Sequence, residues 1–159
     1  MDNLRIHNVL MDDPYCRQIF QGVFPVNGLP KSEAPWPSAY VLTTKSVPTF
    51  QINHWVALYI TPDGEGELFD SLGKPPKHPQ LKKFLRKNTV RTIYNRVELQ
   101  GQSPVCGHYA MYFLLERCRG LHPDYIASQF SADTRQNDKF VENVTKSLFP
   151  SLKTTTQYL

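Results

Sequence analysis

The chain has 159 residues, of which 40% are hydrophobic and 20% charged, with a formal net charge of +4. This length predicts a single domain spanning residues 1–159, and the composition excludes a disordered chain. No apolar run is long enough to cross a bilayer and the first residues lack the pattern of a secretory signal, so we expect no membrane association and a reducing intracellular compartment.

The first part of the sequence predicts a short helix, a loop and two strands. Asp13 is a candidate N-cap with Pro14 at the first helical position, which predicts a helix over residues 13–20. The next segment, residues 22–37, is rich in Pro and Gly and predicts a loop. Two segments rich in β-branched and aromatic residues then predict strands, over residues 39–44 and 54–60.

The sequence PDGEG after residue 60 predicts a β-hairpin in which residues 67–70 return antiparallel. If residues 62–66 form its loop, Asp70 faces Leu58. His54 then lies four residues further along, roughly 13 Å away at about 3.3 Å per residue. In this simple register His54 and Asp70 meet only if a twist, a bulge or an asymmetric loop brings them together.

The second half of the sequence predicts one strand, over residues 90–99, and four helices. The strongest helix pattern runs from Val105 to Arg119, with aromatic side chains at helical spacing and Gly120 just beyond its end. Three further helices are expected over residues 78–87, 122–130 and 137–149. Strands followed by helices indicate the α+β class.

Cys106 is the best candidate for a chemical role among the three cysteines. They form no CxxC pair, which argues against a disulfide framework, and no ligand spacing predicts a metal site or a cofactor. Cys106 begins the strongest helix, where backbone N–H groups and the helix dipole favour a thiolate. Cys118 lies in the last turn of that helix and Cys16 inside a short helix, so we expect both to be inert.

A catalytic thiol needs a base, and the base needs a group that orients it. His54 opens a strand and Asp70 ends the next one, so both lie at the ends of elements, as Cys106 does. Each also has an ordinary interpretation, because a histidine in a strand is more often structural and Asp70 alone could cap a turn at residues 71–73. The combination favours a triad of His54, Asp70 and Cys106.

Four short pieces of the sequence resemble the adenoviral protease (adenain) superfamily, which also contains the SUMO-deconjugating proteases. The pieces are His54-Trp55, Phe69-Asp70-Ser71, Gln100 six residues before the cysteine, and Cys106-Gly107 followed by an aromatic helix. The resemblance covers residues 16–115. The run CGHYAMYFL is closest in style to adenain-like proteases of DNA viruses and of Polinton-type mobile elements.

This resemblance implies a papain-like α+β fold with a central, mostly antiparallel sheet flanked by helices, in which His54 and Asp70 do meet. It implies that His54 is the base, Asp70 the third member of the triad, Cys106 the nucleophile and Gln100 a donor in the oxyanion hole. The sequence departs from the adenoviral members in carrying Asp70 where they have Glu. It also has no cysteine between Asp70 and Val105, which argues against the disulfide-linked peptide that stimulates those enzymes.

Three neighbours of these residues are open to more than one interpretation. Trp55 is expected either to shield the triad and contact substrate or to be a core tryptophan. Gly107 would let a substrate backbone approach closely. Gln102 competes with Gln100 as oxyanion donor, but Gln100 ends the strand predicted over residues 90–99 and would be held by its hydrogen bonds, whereas Gln102 lies in a loop.

Positive charge is concentrated between residues 74 and 91. The helix predicted in this segment carries Lys82, Lys83, Arg86 and Lys87. These side chains form either an ordinary solvated face or a surface for viral DNA, which would then be a partner and activator.

The sequence therefore predicts a monomeric cysteine endopeptidase that processes capsid or other structural precursor proteins, in the virion and in the nucleus or cytoplasm of the host cell. A deconjugase of a ubiquitin-like modifier would use the same triad, and so would an acyltransferase, for which no acyl-donor site is recognisable. The alternative from a different class is a non-catalytic basic DNA-binding protein.

Overall fold

In the computed structural model, which describes residues 2–45 and 53–148, a five-stranded sheet is flanked by helices. This arrangement confirms the predicted α+β class. In chain order the elements are α1 (Asn3–Asp12), a 3₁₀ turn (Cys16–Gln18), β1 (Phe20–Pro25), β2 (Ser38–Lys45), β3 (Asn53–Ile60), β4 (Glu65–Phe69), α2 (Pro79–Asn88), β5 (Arg91–Tyr94), α3 (Cys106–Cys118), α4 (Pro123–Ser128) and α5 (Thr134–Leu148).

The strands lie side by side in the order β1-β2-β3-β4-β5. Strand β3 pairs antiparallel with both β2 and β4, whereas β1 pairs parallel with β2 and β5 parallel with β4. The expected antiparallel sheet therefore describes the three central strands, and the two edge strands run parallel to their neighbours.

The β3–β4 hairpin has a shorter loop than the sequence predicted. The N–H of Thr61 donates to the carbonyl of Glu65 at 2.9 Å, and Gly64 adopts a φ of 83°, so the loop consists of residues 62–64 only. Ala57 consequently pairs with Phe69 rather than with a residue two positions later. Asp70 follows Phe69 and lies two residues from His54 along the strand direction instead of four.

The N-terminal region differs from the prediction in three places. Helix α1 was not predicted. The expected helix over residues 13–20 is only the short 3₁₀ turn, in which Oδ1 of Asp13 accepts from the N–H groups of Tyr15 and Cys16. The expected loop over residues 22–37 begins with β1, which is stabilised by its partner β2 and not by a local pattern.

The two faces of the sheet are covered by different helices. Alternate residues of β3 face each side, because side chains of a strand point to opposite faces. Trp55, Ala57 and Tyr59 join a core with α1, α3 and α5, and Val56, Leu58 and Ile60 join a second core with α2. Helix α3 is the centre of the first core, with Phe113 stacked on Phe69 at 4.6 Å between ring centroids.

The C-terminal half follows the predicted order of elements with changed bounds. Strand β5 ends at Tyr94, so the segment that leads to Gln100 is not the strand expected over residues 90–99. The last helices start or end a few residues from their predicted limits, and residue 149 lies outside the described residues. None of the helices in the described ranges is both long and apolar enough to cross a membrane.

Candidate active site

A cleft of about 860 Å³ opens where strand β3, the end of β4 and the start of α3 come together. That volume is within the range of sites that hold small molecules or peptide side chains. Its lining includes all four residues predicted to act in catalysis: His54, Asp70, Gln100 and Cys106.

His54 and Asp70 are in direct contact. Nε2 of His54 lies 2.8 Å from Oδ1 of Asp70, and the two side chains are only 13% and 10% exposed. The shorter hairpin loop makes this contact possible, because residues two positions apart on neighbouring strands are about 7–8 Å apart and long side chains can bridge them.

The backbone around Asp70 is held by Asn95, just beyond strand β5. The N–H of Asp70 donates to Oδ1 of Asn95 at 2.7 Å, and Nδ2 of Asn95 donates to the carbonyl of Asp70. Oδ1 of Asp70 also accepts from the N–H of Leu72 at 2.8 Å. Asp70 therefore orients His54 and caps the turn at residues 71–73 at the same time.

Cys106 is the first residue of α3 and is 4% exposed. Burial opposes ionisation of its thiol, but hydrogen bonds from the His54 side chain and from the backbone at Trp55 and Gly107 outweigh it, so the pKa of Cys106 is lowered. No side chain caps the first turn of α3. Its backbone N–H groups and dipole favour the thiolate, as the sequence predicted.

The pKa of the His54 imidazole shifts in the opposite direction to that of the Cys106 thiol. Burial lowers its pKa, but the hydrogen bonds to Asp70 and Cys106 and their negative charges more than compensate, and the pKa rises to about 9. Because Nε2 is occupied by Asp70, the bond to the thiol falls to Nδ1. The raised pKa of His54 and the lowered pKa of Cys106 together favour an imidazolium–thiolate pair near neutral pH.

Gln100 is buried, lines the same cleft as Cys106, and has an amide of defined orientation. The partners of the amide distinguish its oxygen from its nitrogen. Oε1 accepts from the hydroxyl of Ser71 at 2.5 Å, and Nε2 donates to the carbonyl of Ser103 at 2.8 Å. Gln100 was expected to be held by the hydrogen bonds of a strand. Its backbone N–H instead donates to the carbonyl of Ser71. Gln102 also lines the cleft but is exposed.

Trp55 and Gly107 flank the thiol without lining the cleft. The side chain of Trp55 is buried in the core, and its indole N–H donates to Oδ1 of Asn3 in α1 at 2.8 Å. Gly107 is buried in the first turn of α3. Both contribute backbone hydrogen bonds to Cys106, whereas a contact of either with substrate remains a prediction.

The other two cysteines lie elsewhere. Cys16 is fully buried, and its pKa is raised by a hydrogen bond with Cys118 and by burial. Neither belongs to the cleft. His108, two residues after Cys106, does not line the cleft either, and burial lowers its pKa to about 4 and keeps it neutral.

Glu67, the other acidic residue of the hairpin, is used differently. It is 6% exposed, and its carboxylate accepts from Nε and Nη2 of Arg117 at 2.7 and 3.1 Å. It therefore belongs to a buried ion pair on the far side of the sheet from His54. Across residues 2–45 and 53–148, His, Cys, Asp and Glu form no group suited to a metal ion.

The basic residues predicted for nucleic acid all lie on one face of α2. Lys82, Lys83, Arg86 and Lys87 are exposed, while the apolar residues between them face the second core. Nζ of Lys87 donates to the carbonyl of Lys31 at 2.9 Å. The structure thus places these four side chains together, outside the cleft that Cys106 lines.

Three residues of the site were not found from the sequence: Ser71, Asn95 and Asp138. Ser71 was part of the Phe69-Asp70-Ser71 motif but had no assigned role. Asn95 and Asp138 carry no local signal, because their partners are 25 and 37 residues away. Asp138 accepts hydrogen bonds from the backbone of the loop that carries Gln100.

Neither a protein-family model nor a curated protein sequence matches the chain. Solved structures do match. The crystal structure of the ASFV pS273R protease has a TM-score of 0.58 at 17% identity, covering 88% of this chain and 65% of that one. This chain therefore has the fold of a protease and spans 65% of that protease's length.

Two further matches are weaker. A selenomethionine crystal structure of the same ASFV protease has a TM-score of 0.46 at 23% identity, covering 65% of this chain and 42% of that one. The central domain of the uncharacterized Lpg1148 protein from Legionella pneumophila has a TM-score of 0.44 at 11% identity, covering 94% and 98%.

Proposed function

We propose that the chain is a cysteine endopeptidase of the adenain-like type, with Cys106 as nucleophile, His54 as base and Asp70 as the group that orients it. The observation that carries the proposal is the hydrogen-bonded series Asp70–His54–Cys106 at the wall of a cleft. A nucleophile bonded to a base that is bonded to an orienting group is the arrangement that covalent catalysis needs. The protease fold of the ASFV neighbour supports the same class of activity.

The proposed reaction begins when the thiolate of Cys106 attacks the carbonyl carbon of a peptide bond. Negative charge then develops on the carbonyl oxygen, where Nε2 of Gln100 and the backbone N–H of Cys106 are the proposed donors. The imidazolium of His54 gives its proton to the leaving amine as the C–N bond breaks, which leaves a thioester on Cys106. His54 then takes a proton from water, the water oxygen attacks the thioester, and the carboxylic acid and the thiol are released.

The substrates that we propose are viral structural precursor proteins, including capsid components, cleaved in the virion or in the infected cell by a monomeric enzyme. The proposal rests on the resemblance of the sequence motifs to proteases of DNA viruses and on the viral origin of the ASFV neighbour. Viral DNA is proposed as a further partner, on the basic face of α2.

The test is incubation of the purified chain with structural proteins encoded beside it, followed by mass spectrometry of the products. We expect new termini with the active chain and none with Cys106→Ala, which keeps the fold but lacks the nucleophile. A fusion carrying a ubiquitin-like modifier is the second substrate. Cleavage of that fusion alone would favour the deconjugase, and cleavage of neither, with DNA binding retained, would favour the non-catalytic protein.

A further inference from the structure

The loop that carries Gln100 is held from two sides. On one side lies Ser71, whose carbonyl accepts from the N–H groups of Leu99 and Gln100 at 2.8 and 3.0 Å. Its hydroxyl donates to Oε1 of Gln100, which leaves Nε2 as the end of the amide that faces away from Ser71. Side chains of helix α5 hold the other side of the loop.

Asp138 of α5 is the main contact on that second side. It is 3% exposed, and its Oδ1 lies 3.0 Å from the backbone nitrogen of Gly101 and 2.7 Å from the hydroxyl of Tyr109. Its Oδ2 lies 3.2 and 3.3 Å from the backbone nitrogens of Gly101 and Ser103. A carboxylate can accept at both oxygens, so this one side chain bonds two loop residues and α3 together.

The closeness of this contact depends on Gly101. A Cβ atom at that position would lie 3.0 Å from Oδ2 of Asp138 and 3.1 Å from Oγ1 of Thr134. A larger residue would therefore move the loop away from the carboxylate, so Gly101 is suited to a close approach between loop and helix.

Ser103 connects Asp138 to the amide of Gln100. The N–H of Ser103 donates to Asp138, and the carbonyl of Ser103 accepts from Nε2 of Gln100. The residue that orients the amide is thus itself held by Asp138. Nε2 carries two hydrogens, so one can bond Ser103 while the other is directed at a substrate oxygen.

We propose that Asp138 is a positioning residue for the oxyanion donor, acting through the backbone of Gly101 and Ser103 on the amide of Gln100. The inference rests on the proposed endopeptidase function. Donors to a developing oxyanion are effective only when they are held in place before the reaction, and a shift of about 1 Å can cost about 10² in rate. Asp138 supplies this restraint from a helix outside the cleft.

The test is Asp138→Asn, which replaces one acceptor oxygen with an amide NH₂ that faces N–H donors. We expect kcat on a peptide substrate to fall about 10- to 100-fold with little change in KM, because the lost interaction acts in the transition state. Binding of a peptide aldehyde, whose adduct with Cys106 carries the oxyanion, should weaken by a similar factor. Alkylation by iodoacetamide needs the thiolate but no oxyanion donor, so its rate should not change.

Three matched variants separate positioning from a general loss of packing. Gly101→Ala should reproduce the effects of Asp138→Asn without altering α5, and it serves if the first variant does not fold. Tyr109→Phe removes the hydroxyl that lies 2.7 Å from Oδ1 of Asp138 and 3.1 Å from the carbonyl of Leu99, but it leaves the bonds of Asp138 to Gly101 and Ser103, so kcat should fall less than in Asp138→Asn. The double variant Gln100→Ala/Asp138→Asn should be no slower than Gln100→Ala, because both changes remove the same interaction.

Several outcomes would overturn the inference. An unchanged aldehyde affinity in both folded variants would do so, as would a double variant slowed by the product of the two single effects. Loss of kcat in Tyr109→Phe equal to that in Asp138→Asn would show that the bonds of Asp138 to Gly101 and Ser103 are not what positions the amide. If the wild-type chain itself cleaves no peptide, the proposed function fails, and the inference fails with it; that result is seen before any variant is made.

Discussion

The imidazole of His54 has two partners, one at each ring nitrogen, and this decides what the thiol of Cys106 can do. Asp70 holds Nε2 at 2.8 Å, so the ring cannot rotate away from Cys106 without breaking a buried hydrogen bond. Cys16 and Cys118 have each other as neighbours, and no histidine among the described residues bonds either thiol. The difference between the cysteines is therefore one of surroundings, since all three have the same side chain.

Limited treatment with iodoacetamide should modify Cys106 first. Its lowered pKa maintains a thiolate at a pH where an ordinary thiol, with a pKa of about 8.5, is protonated. The rate should be measured against pH by mass spectrometry of the peptides. In His54→Ala the hydrogen bond that lowers the pKa is lost, so the profile should move to higher pH; faster labelling of Cys118 in the wild type would contradict this.

Activity should fall as pH rises through about 9. The pKa of His54 is raised to about 9, so the imidazolium is present below that pH and is lost above it. On the acidic side, activity should fall as the thiolate of Cys106 is protonated, at a pH below the usual pKa of a thiol. The measurement is kcat/KM against pH, and a profile that keeps rising beyond pH 10 would contradict the assignment of His54 as the proton donor.

Removing members of the proposed triad should have unequal effects. His54→Ala should reduce kcat/KM by about 10⁴ or more, because the base is lost. Asp70→Asn should cost about 10²-fold less than His54→Ala, since an amide can still orient the ring but stabilises the imidazolium poorly. Glu67→Gln is the control, because Glu67 bonds Arg117 and should affect stability only. A fully active Asp70→Asn with an inactive Glu67→Gln would reassign the third member.

The two glutamines near Cys106 should differ in the same assay. Gln100→Ala should lower kcat by about 10² to 10³, the cost of removing one oxyanion donor, with thiol labelling retained. Gln102 is exposed, so Gln102→Ala should be milder and act mainly on substrate binding. The opposite order in folded variants would make Gln102 the donor.

Among the elements, helix α2 has one apolar face that packs against the sheet and one basic face that is exposed. Leu81, Phe84 and Leu85 are buried against the sheet, and the opposite face is basic. Because this pattern repeats every three to four residues, the helix and its exposed charges could be predicted locally. What binds the basic face is a separate question that the pattern does not answer.

We propose that this basic face binds DNA through phosphate contacts. The affinity of Lys82→Gln/Lys83→Gln should be lower than that of the wild type, and the slope of log K against log salt should be less steep by up to about two. The control is Arg135→Gln/Lys139→Gln, which removes the same charge from exposed residues of α5. Affinity that does not depend on salt, or equal losses in both variants, would remove DNA from the proposed partners.

For the molecule as a whole, the N-terminal helix is part of the core that supports the site. Leu10 of α1 is fully buried in the same core as Cys106, whereas Leu4 of the same helix is 68% exposed. Leu10→Ala should lower the free energy of unfolding by about 2–5 kcal/mol, and Leu4→Ala by less than about 0.5 kcal/mol. Urea unfolding measures both, and equal values would show that α1 is not packed as described.

The sequence by itself determined the α+β class and the order of most elements, and it predicted which residues carry the chemistry. Capping, turn residues and periodicity act within a few residues, so α2, α3 and the hairpin could be predicted locally. Position at the start of α3 was enough to distinguish Cys106 from the other cysteines. The motif spacing selected His54, Asp70 and Gln100 through a resemblance, and the cleft brings these residues together with Cys106.

Only the tertiary structure decided how those residues meet. A hairpin loop of three residues instead of five moved Asp70 two positions closer to His54, and the turn signal in the sequence is compatible with either length. Strand β1 and the bonds made by Asn95 and Asp138 depend on partners distant in the chain. Such contacts form only when the whole core packs, because a local sequence window contains one partner and not the other.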